Sequence, residues 1–331
     1  MPGPPRLRNA YDLVIIGGGH AGLQAGLKAS MLDRTAAVID RGPKFSRSFY
    51  APRMDNIPGV PDGISGHKLL DLQLAALRRQ EERVGLFSPA RATSVDRTDT
   101  GFGVTFEWLK QTLVANARAI VLAMGVVDRI PEVEGKIEPI FPWANQALVD
   151  FCLLCDGHDL PGLTVGVIGD DPFAVRTALD ILEFRPKSVE LLTHGRPLLG
   201  GAEPRERASL VAALEEKRIP WEESAMVGFD EIREHRFGVR FADGSHRSYD
   251  RGFSALGWYD QHQEFPRALG CRFDAEGYVV TDDDCRALSA VDGTPLPGVY
   301  CIGDQRNGWN QIPEAWATAE RAVIHAWASF L

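Results

Sequence analysis

The sequence predicts an α/β protein of two parallel-sheet units, the second inserted in the first. One observation is a repeated opening. A short apolar strand runs into glycine twice, as Tyr11-Asp-Leu-Val-Ile-Ile-Gly17 and as Leu163-Thr-Val-Gly-Val-Ile-Gly169. A second is the shared continuation of both openings: a helical pattern over Ala21–Met31 and Phe173–Phe184, then another apolar strand over Thr35–Asp40 and Ser188–Thr193. Strand, crossover helix and strand in succession demand parallel pairing. A third is the apolar strand Ala119–Gly125, which ends in glycine before the inserted unit, with Phe253–Gly257 as its counterpart on return and Val299–Asp304 as a third such strand. The expected boundaries are 1–126 plus 254–331 for the outer domain and 127–253 for the inner one. The stretch Ile312–Leu331, rich in alanine and tryptophan, reads as a closing helix. Its Pro313 falls in the first turn, where a missing N–H costs nothing.

Bulk properties narrow the function classes. A chain of 331 residues suits two domains, and 44% hydrophobic with 24% charged residues is ordinary for a globular protein. The net charge of -9 and the lack of a long Lys/Arg run argue against nucleic acid as a partner. No apolar stretch approaches the roughly 18–20 residues of a membrane span. The segment Met1–Ala10 has no apolar signal core, so a cytoplasmic protein is expected. The five cysteines are an odd number and do not form a structural disulfide framework in that compartment.

The first opening carries a specific motif. Gly17-Gly18-Gly19-His20-Ala21-Gly22 fits G-x-G-x-x-G. Gly17 makes the tight turn, Gly19 lets the backbone approach a pyrophosphate, and Gly22 lets helix and strand pack closely. The phosphates would lie over the helix N-terminus, where free N–H groups and the helix dipole favour anions. Asp40, ending the next strand, stands where an acid accepts a ribose hydroxyl. His20 replaces the usual small residue and either contacts phosphate or caps the turn. A purely structural glycine turn is the alternative, and the strand before and helix after it argue for a dinucleotide. Both units therefore read as nucleotide-binding, Rossmann-like three-layer ββα domains.

The second motif is Cys152-Leu-Leu-Cys155-Asp156. Two cysteines at this spacing can close a small disulfide ring and exchange readily. Asp156 supplies a carboxyl that could pass a proton to a departing thiolate. Half of a zinc site is one alternative, but no second C-x-x-C exists and His158 alone complements it poorly, so no metal is expected. Inert buried thiols are the other. Cys271, Cys285 and Cys301 stand singly and read as packing residues.

Taken together, these motifs resemble the low-molecular-weight thioredoxin reductase family over nearly the whole chain. Asn56-Ile57-Pro58-Gly59 resembles its E-N-x-P-G segment, Ala123-Met124-Gly125 its A-T-G strand end, and Cys152–Gly157 its C-A-T-C-D-G redox motif. Gly303-Asp304 resembles its G-D at the flavin ribityl chain, and Asn310-Gln311-Ile312 stands where the family has R-Q-A over the flavin pyrimidine. The resemblance implies FAD, a homodimer, and a thioredoxin-like protein or small disulfide or dithiol as substrate. It also implies that Cys155 faces the flavin and that Cys152 attacks the substrate.

The inner domain departs from that pattern. Where the family has G-x-G-x-x-A, this chain has Gly169-Asp170-Asp171-Pro172-Phe173-Ala174, and where it has a basic H-R-R cluster, this chain has His194-Gly195-Arg196. Two carboxylates would face a pyrophosphate, and like charges repel. NADPH is therefore doubtful as the donor. A ferredoxin-type donor, or a second flavin in the inner domain, fits branches of the family that this turn resembles. The leading expectation is an FAD-dependent disulfide oxidoreductase not fed by NADPH. An NADPH-dependent thioredoxin reductase with variant motifs, an oxygen-dependent dithiol oxidase and a non-catalytic flavin sensor are the competitors. Asp156 leans toward reduction. No motif settles the roles of Arg47, Tyr50, Arg53, Met54, Trp143, Trp258, Trp309 and Trp316.

Overall fold

The computed structural model describes residues 5–60 and 63–331. The chain forms two compact units: Met1–Tyr50, Ile57–Val127 and Asp260–Leu331 make one, and Ala51–Asn56 with Asp128–Tyr259 make the other.

In the outer unit the strands Arg286–Leu288, Pro295–Cys301, Gln111–Leu122, Tyr11–Ile16, Ala36–Ile39 and Val84–Phe87 lie side by side in that order. Tyr11–Ile16 is parallel to both of its neighbours, with Ile15 opposite Val38 and Val121. Strand period explains its composition. Leu13 and Ile15 enter the core under the helices His20–Met31 and Ile312–Ser329, while Val14 and Ile16 enter the core on the other face. A strand buried on both faces must be apolar throughout, as this one nearly is. The long strand Gln111–Leu122 serves two pairings. Its second half lies in the parallel sheet and its first half pairs antiparallel with Gly101–Trp108, which pairs with Ala90–Thr98. That antiparallel arm is the third layer.

The inner unit has a five-stranded, all-parallel sheet in the order Trp221–Glu222, Ser188–Leu192, Thr164–Ile168, Arg251–Ser254, Val149–Asp150. An antiparallel arm, Met226–Asp230, Phe237–Phe241 and His246–Tyr249, adds its third layer. Helix Pro172–Ile181 continues into a tight turn over Leu182–Phe184 and packs Ala174, Val175, Ala178 and Ile181 into the core. Trp143 is buried in the second core of this unit, and its indole N–H donates to the Asp230 carbonyl at 3.1 Å.

Several edges differ from the sequence expectation. The strand ending at Gly125 stops at Leu122, and Gly125 turns the chain at φ +65°. The strand sought over Phe253–Gly257 is Arg251–Ser254 and bonds to Thr164–Ile168, so the residues up to Tyr259 group with the inner unit rather than leaving it at 254. Ala51–Asn56, placed in the outer domain by sequence order, also groups with the inner unit, where Arg53 forms an ion pair with Asp159. No described helix is long and apolar enough to cross a membrane.

Candidate active site

In the outer unit the glycine turn is built as its sequence suggests. Gly17 sits at φ +107°, and a Cβ there would lie 2.2 Å from the Ala123 carbonyl oxygen. A Cβ on Gly22 would lie 1.9 Å from the Gly17 carbonyl oxygen. Both glycines are required by backbone contact alone. Gly19 differs: a Cβ there would meet only Ser46 Oγ, at 3.6 Å, and Gly19 precedes the helix in extended conformation. Its open side is the N-terminal end of helix His20–Met31, where N–H groups favour an anion.

Asp40 is buried and braces this turn. Its Oδ1 accepts from the Gly18 N–H at 3.0 Å, and its Oδ2 accepts from the Gly42 N–H at 2.9 Å and the Ser88 hydroxyl at 3.1 Å. A carboxylate has lone pairs for one further donor. The His20 side chain turns away from the phosphate path. Its Nδ1 meets Gln73, its Nε2 lies 2.7 Å from Ser48 Oγ, and burial holds it below the usual imidazole range against the opposing influence of Gln73 and Asp304. Ala21, one residue on, is buried against Gly303, whose added Cβ would lie 2.9 Å from the Ala21 Cβ.

The C-terminal residues gather at the same glycine turn. Gly303, at φ +62°, donates its N–H to Thr318 Oγ1 at 3.1 Å and opens a short turn over Gly303–Gln305. Asp304 is ion-paired with Arg47 at 2.8 Å. Gln305 is fully buried. It accepts from the Met124 N–H at 3.1 Å and donates to the His262 carbonyl at 3.0 Å, so it ties the Ala123–Gly125 loop to this turn. Asn310 takes φ +52° and donates to Tyr278 at 3.3 Å, while its buried Oδ1 has no hydrogen-bond partner. Gln311 precedes helix Ile312–Ser329, and the buried indole N–H of Trp316 in that helix is also unpartnered. Buried polar atoms without partners are rare in folded proteins and point to a ligand. The open Gly19, the unpartnered Asn310 Oδ1 and the bare helix ends fit a dinucleotide with a polar ring system. Trp309 is 72% exposed.

In the inner unit Cys152 and Cys155 form a disulfide. Cys152 precedes the helical turn Leu153–Asp156, and its carbonyl accepts from the N–H groups of Cys155 and Asp156, both at 3.0 Å. Burial pushes the Asp156 carboxyl up to about 6, opposed by nearby His158. A neighbour that the motif did not reveal is Asp150. It ends the strand Val149–Asp150 and is only 8% exposed. Burial, aided by the like charge of Asp156, pushes it up to about 8. The signal was an acid two positions before Cys152 among apolar neighbours. Asn56 groups with this unit, at the end of Ala51–Asn56. Cys271, Cys285 and Cys301 are buried thiols, and burial pushes Cys271 up to about 12 and Cys285 up to about 11.

The inner glycine turn is closed by its own side chains. Asp171 caps helix Pro172–Ile181, its Oδ1 accepting from the Ala174 N–H at 3.0 Å. Asp170 lies 3.6 Å from Arg196 Nη1, and its carbonyl accepts from the Leu199 N–H at 2.6 Å. His194 is committed on both nitrogens, to the Glu132 carbonyl at 2.6 Å and to the Met226 N–H at 2.9 Å.

A two-unit α/β chain with a dinucleotide cradle in one unit and a C-x-x-C disulfide in the other is a flavin-dependent disulfide oxidoreductase. The chain belongs to the pyridine nucleotide-disulphide oxidoreductase family, whose model matches residues 11–321. It is 25% identical over 308 residues to the thioredoxin reductase of Borreliella burgdorferi, covering 89% of this chain and 84% of that protein. It is 26% identical over 304 residues to that of Listeria innocua, covering 89% and 86%. Its fold matches the solved thioredoxin reductase of Giardia duodenalis with a TM-score of 0.76 at 20% identity, over 97% of this chain and 100% of that one.

Proposed function

We propose that this chain passes electrons from a donor other than NADPH through FAD to the Cys152–Cys155 pair, and from there to a thioredoxin-like protein or a small disulfide. The observation that carries the choice of donor is the self-closed inner turn. Asp171 occupies the helix end where a pyrophosphate would seat, and Arg196, the remaining base of the cluster, already faces Asp170. The same closure leaves no phosphate seat for a second flavin there, so one FAD per chain is the expected content. A ferredoxin-type protein is the donor class that needs no nucleotide seat.

FAD, when bound, supplies the two-electron carrier. In this proposal Gly17, Gly19, the backbone of His20 and Ala21, and Gly22 hold its pyrophosphate, and Asp40 positions a ribose. Ala123 and Gly125 shape the loop beside it, Gly303 and Asp304 hold the ribityl chain, and Asn310, Gln311 and Ile312 meet the ring, with Asn56 a further contact. Cys152 attacks the substrate disulfide, Cys155 exchanges with the flavin side, and Asp156 protonates the departing thiolate. The chain works as a homodimer, as the family resemblance implies.

An NADPH-dependent thioredoxin reductase is the second reading, favoured by relatives of that name aligned along most of the chain. Anaerobic stopped-flow separates the two. NADPH at millimolar concentration should bleach the flavin poorly, whereas a reduced ferredoxin system should bleach it. Rapid, saturable bleaching at micromolar NADPH would refute the proposed donor.

A further inference from the structure

The His20 ring is joined to the glycine cradle by side chains that have no part in the chemistry assigned so far. It is only 7% exposed, and both of its nitrogens are engaged. Helix Gly66–Arg78 supplies one partner: Gln73 meets Nδ1 with its Oε1 and reaches the His20 carbonyl with its Nε2 at 3.5 Å. That setting of the amide puts a proton on Nδ1. The start of the same helix packs on Ser48, since an added Cβ on Gly66 would lie 1.6 Å from the Ser48 carbonyl oxygen. Ser48 Oγ lies 2.7 Å from His20 Nε2 and 3.2 Å from Ser46 Oγ. Ser46 Oγ is the atom that an added Cβ on Gly19 would meet, at 3.6 Å, so the chain of contacts ends at the open side of the cradle.

Counting protons gives this chain a direction. In a neutral ring with Nδ1–H, Nε2 is an acceptor and takes the Ser48 hydroxyl proton. Ser48 then accepts from Ser46, and Ser46 has only lone pairs left to turn toward the cradle. An anion at Gly19 needs a donor instead. Ring to Ser48, Ser48 to Ser46 and Ser46 to anion are three contacts, and the two hydroxyls supply two protons. A protonated ring supplies the third: Nε2–H donates to Ser48, Ser48 donates to Ser46, and Ser46 donates outward. The charged group acting on the ring is Asp304, already paired with Arg47, and helix Ile312–Ser329 presents the edge of Trp316, with ring centroids 6.4 Å apart. Without an anion in the cradle, burial favours the neutral ring.

We propose that His20, Ser48 and Ser46 couple phosphate binding at Gly19 to the uptake of one proton: the phosphate accepts from Ser46, both hydroxyls reverse, and Nε2 takes a proton from solvent. Ser46 touches the ligand. His20 and Ser48 act through it and are positioning residues.

The inference rests on the reading of Gly17–Gly22 as an FAD cradle and is independent of the electron donor. It is tested on the flavin-loaded full chain by diluting it between about pH 5.5 and pH 8.5 and reading the FAD released at equilibrium by its fluorescence. A ring whose bound state holds a proton that the free state lacks makes affinity fall as pH rises, by up to about tenfold per pH unit for one proton. The wild type should show that fall. Ser48→Ala keeps His20 but breaks the chain and frees the Ser46 hydroxyl. Its profile should be flat, and at high pH it should hold FAD at least as tightly as the wild type. Ser46→Ala should be weaker than the wild type at low pH and match it at high pH. His20→Gln, whose amide can donate to Ser48 at every pH, should also be flat. A flat wild-type profile, or a Ser48→Ala profile as steep as that of the wild type, would overturn the coupling while leaving the cradle in place. Should His20→Gln fail to fold, the wild type and Ser48→Ala decide. A full chain that binds no FAD at any pH would overturn the cradle itself, and the coupling with it.

Discussion

Arg47 Nη1 donates to Asp304 Oδ2 at 2.8 Å, joining the segment after the second strand to the turn before the last helix. Both side chains are about one-fifth exposed, so solvent screens the pair only partly. In the proposed site Arg47 orients the carboxylate that receives the ribityl chain. Arg47→Met should therefore loosen the flavin about tenfold, equivalent to about 1.4 kcal/mol. Flavin fluorescence released on dilution measures it. Unchanged affinity would show that Asp304 holds its position without Arg47.

The two glycines of the cradle should fail differently. Gly22→Ala drives a Cβ into the Gly17 carbonyl and should destabilise the fold, read as a lowered melting temperature. An added Cβ at Gly19 meets only Ser46 Oγ within the protein, so Gly19→Val should fold, yet its side chain enters the phosphate path and should strip the FAD. A folded Gly19→Val protein with a full complement of FAD would refute the cradle.

Cys155→Ser should stop electron transfer between flavin and disulfide while FAD stays bound, since Cys155 and the cradle lie in different units. Cys152→Ser should abolish exchange with external disulfides. Both are read by turnover with a disulfide substrate and by alkylation of the remaining thiol. Full turnover by both variants would make the pair structural.

The opening of the disulfide should slow as pH rises. Burial raises the Asp156 carboxyl to about 6, so it is protonated below that value and progressively ionised above it. A step that needs its proton should lose about tenfold per pH unit above about 6 if no other group substitutes. Asp156→Asn should be slow at all pH and flat. A wild-type profile equally flat from pH 5.5 to pH 8 would remove Asp156 from the step.

The Asp171 cap and the nucleotide seat should trade against each other. Asp171→Gly loses the bond to the Ala174 N–H and should cost only about 0.3 kcal/mol of stability, since glycine is itself tolerated at a helix N-cap. Combined with Asp170→Gly, which frees Arg196, it should improve the rate of flavin bleaching by NADPH at fixed concentration. No gain in rate would mean that more than this turn is missing.

What the sequence by itself determined is whatever local rules govern. Strand period and the glycine fingerprint specify Tyr11–Ile16, Gly17, Gly22 and the helix from His20, because backbone contact at those glycines excludes any side chain. The spacing of Cys152 and Cys155 permits a ring-closing disulfide, and the local backbone closes it. The inner Gly169-Asp170-Asp171-Pro172 stood out as a damaged cradle for the same reason. Only the tertiary structure decided the rest, because those properties depend on partners distant in the chain. Arg47 meets Asp304, and Gln305 ties down Met124. The motif leaves His20 as a phosphate contact or a turn cap, and only the fold brings its ring to Gln73 and Ser48. Asp171 changes from a repelling charge into a cap once its helix forms, and Asp150 becomes a protonated acid only where folding removes it from water.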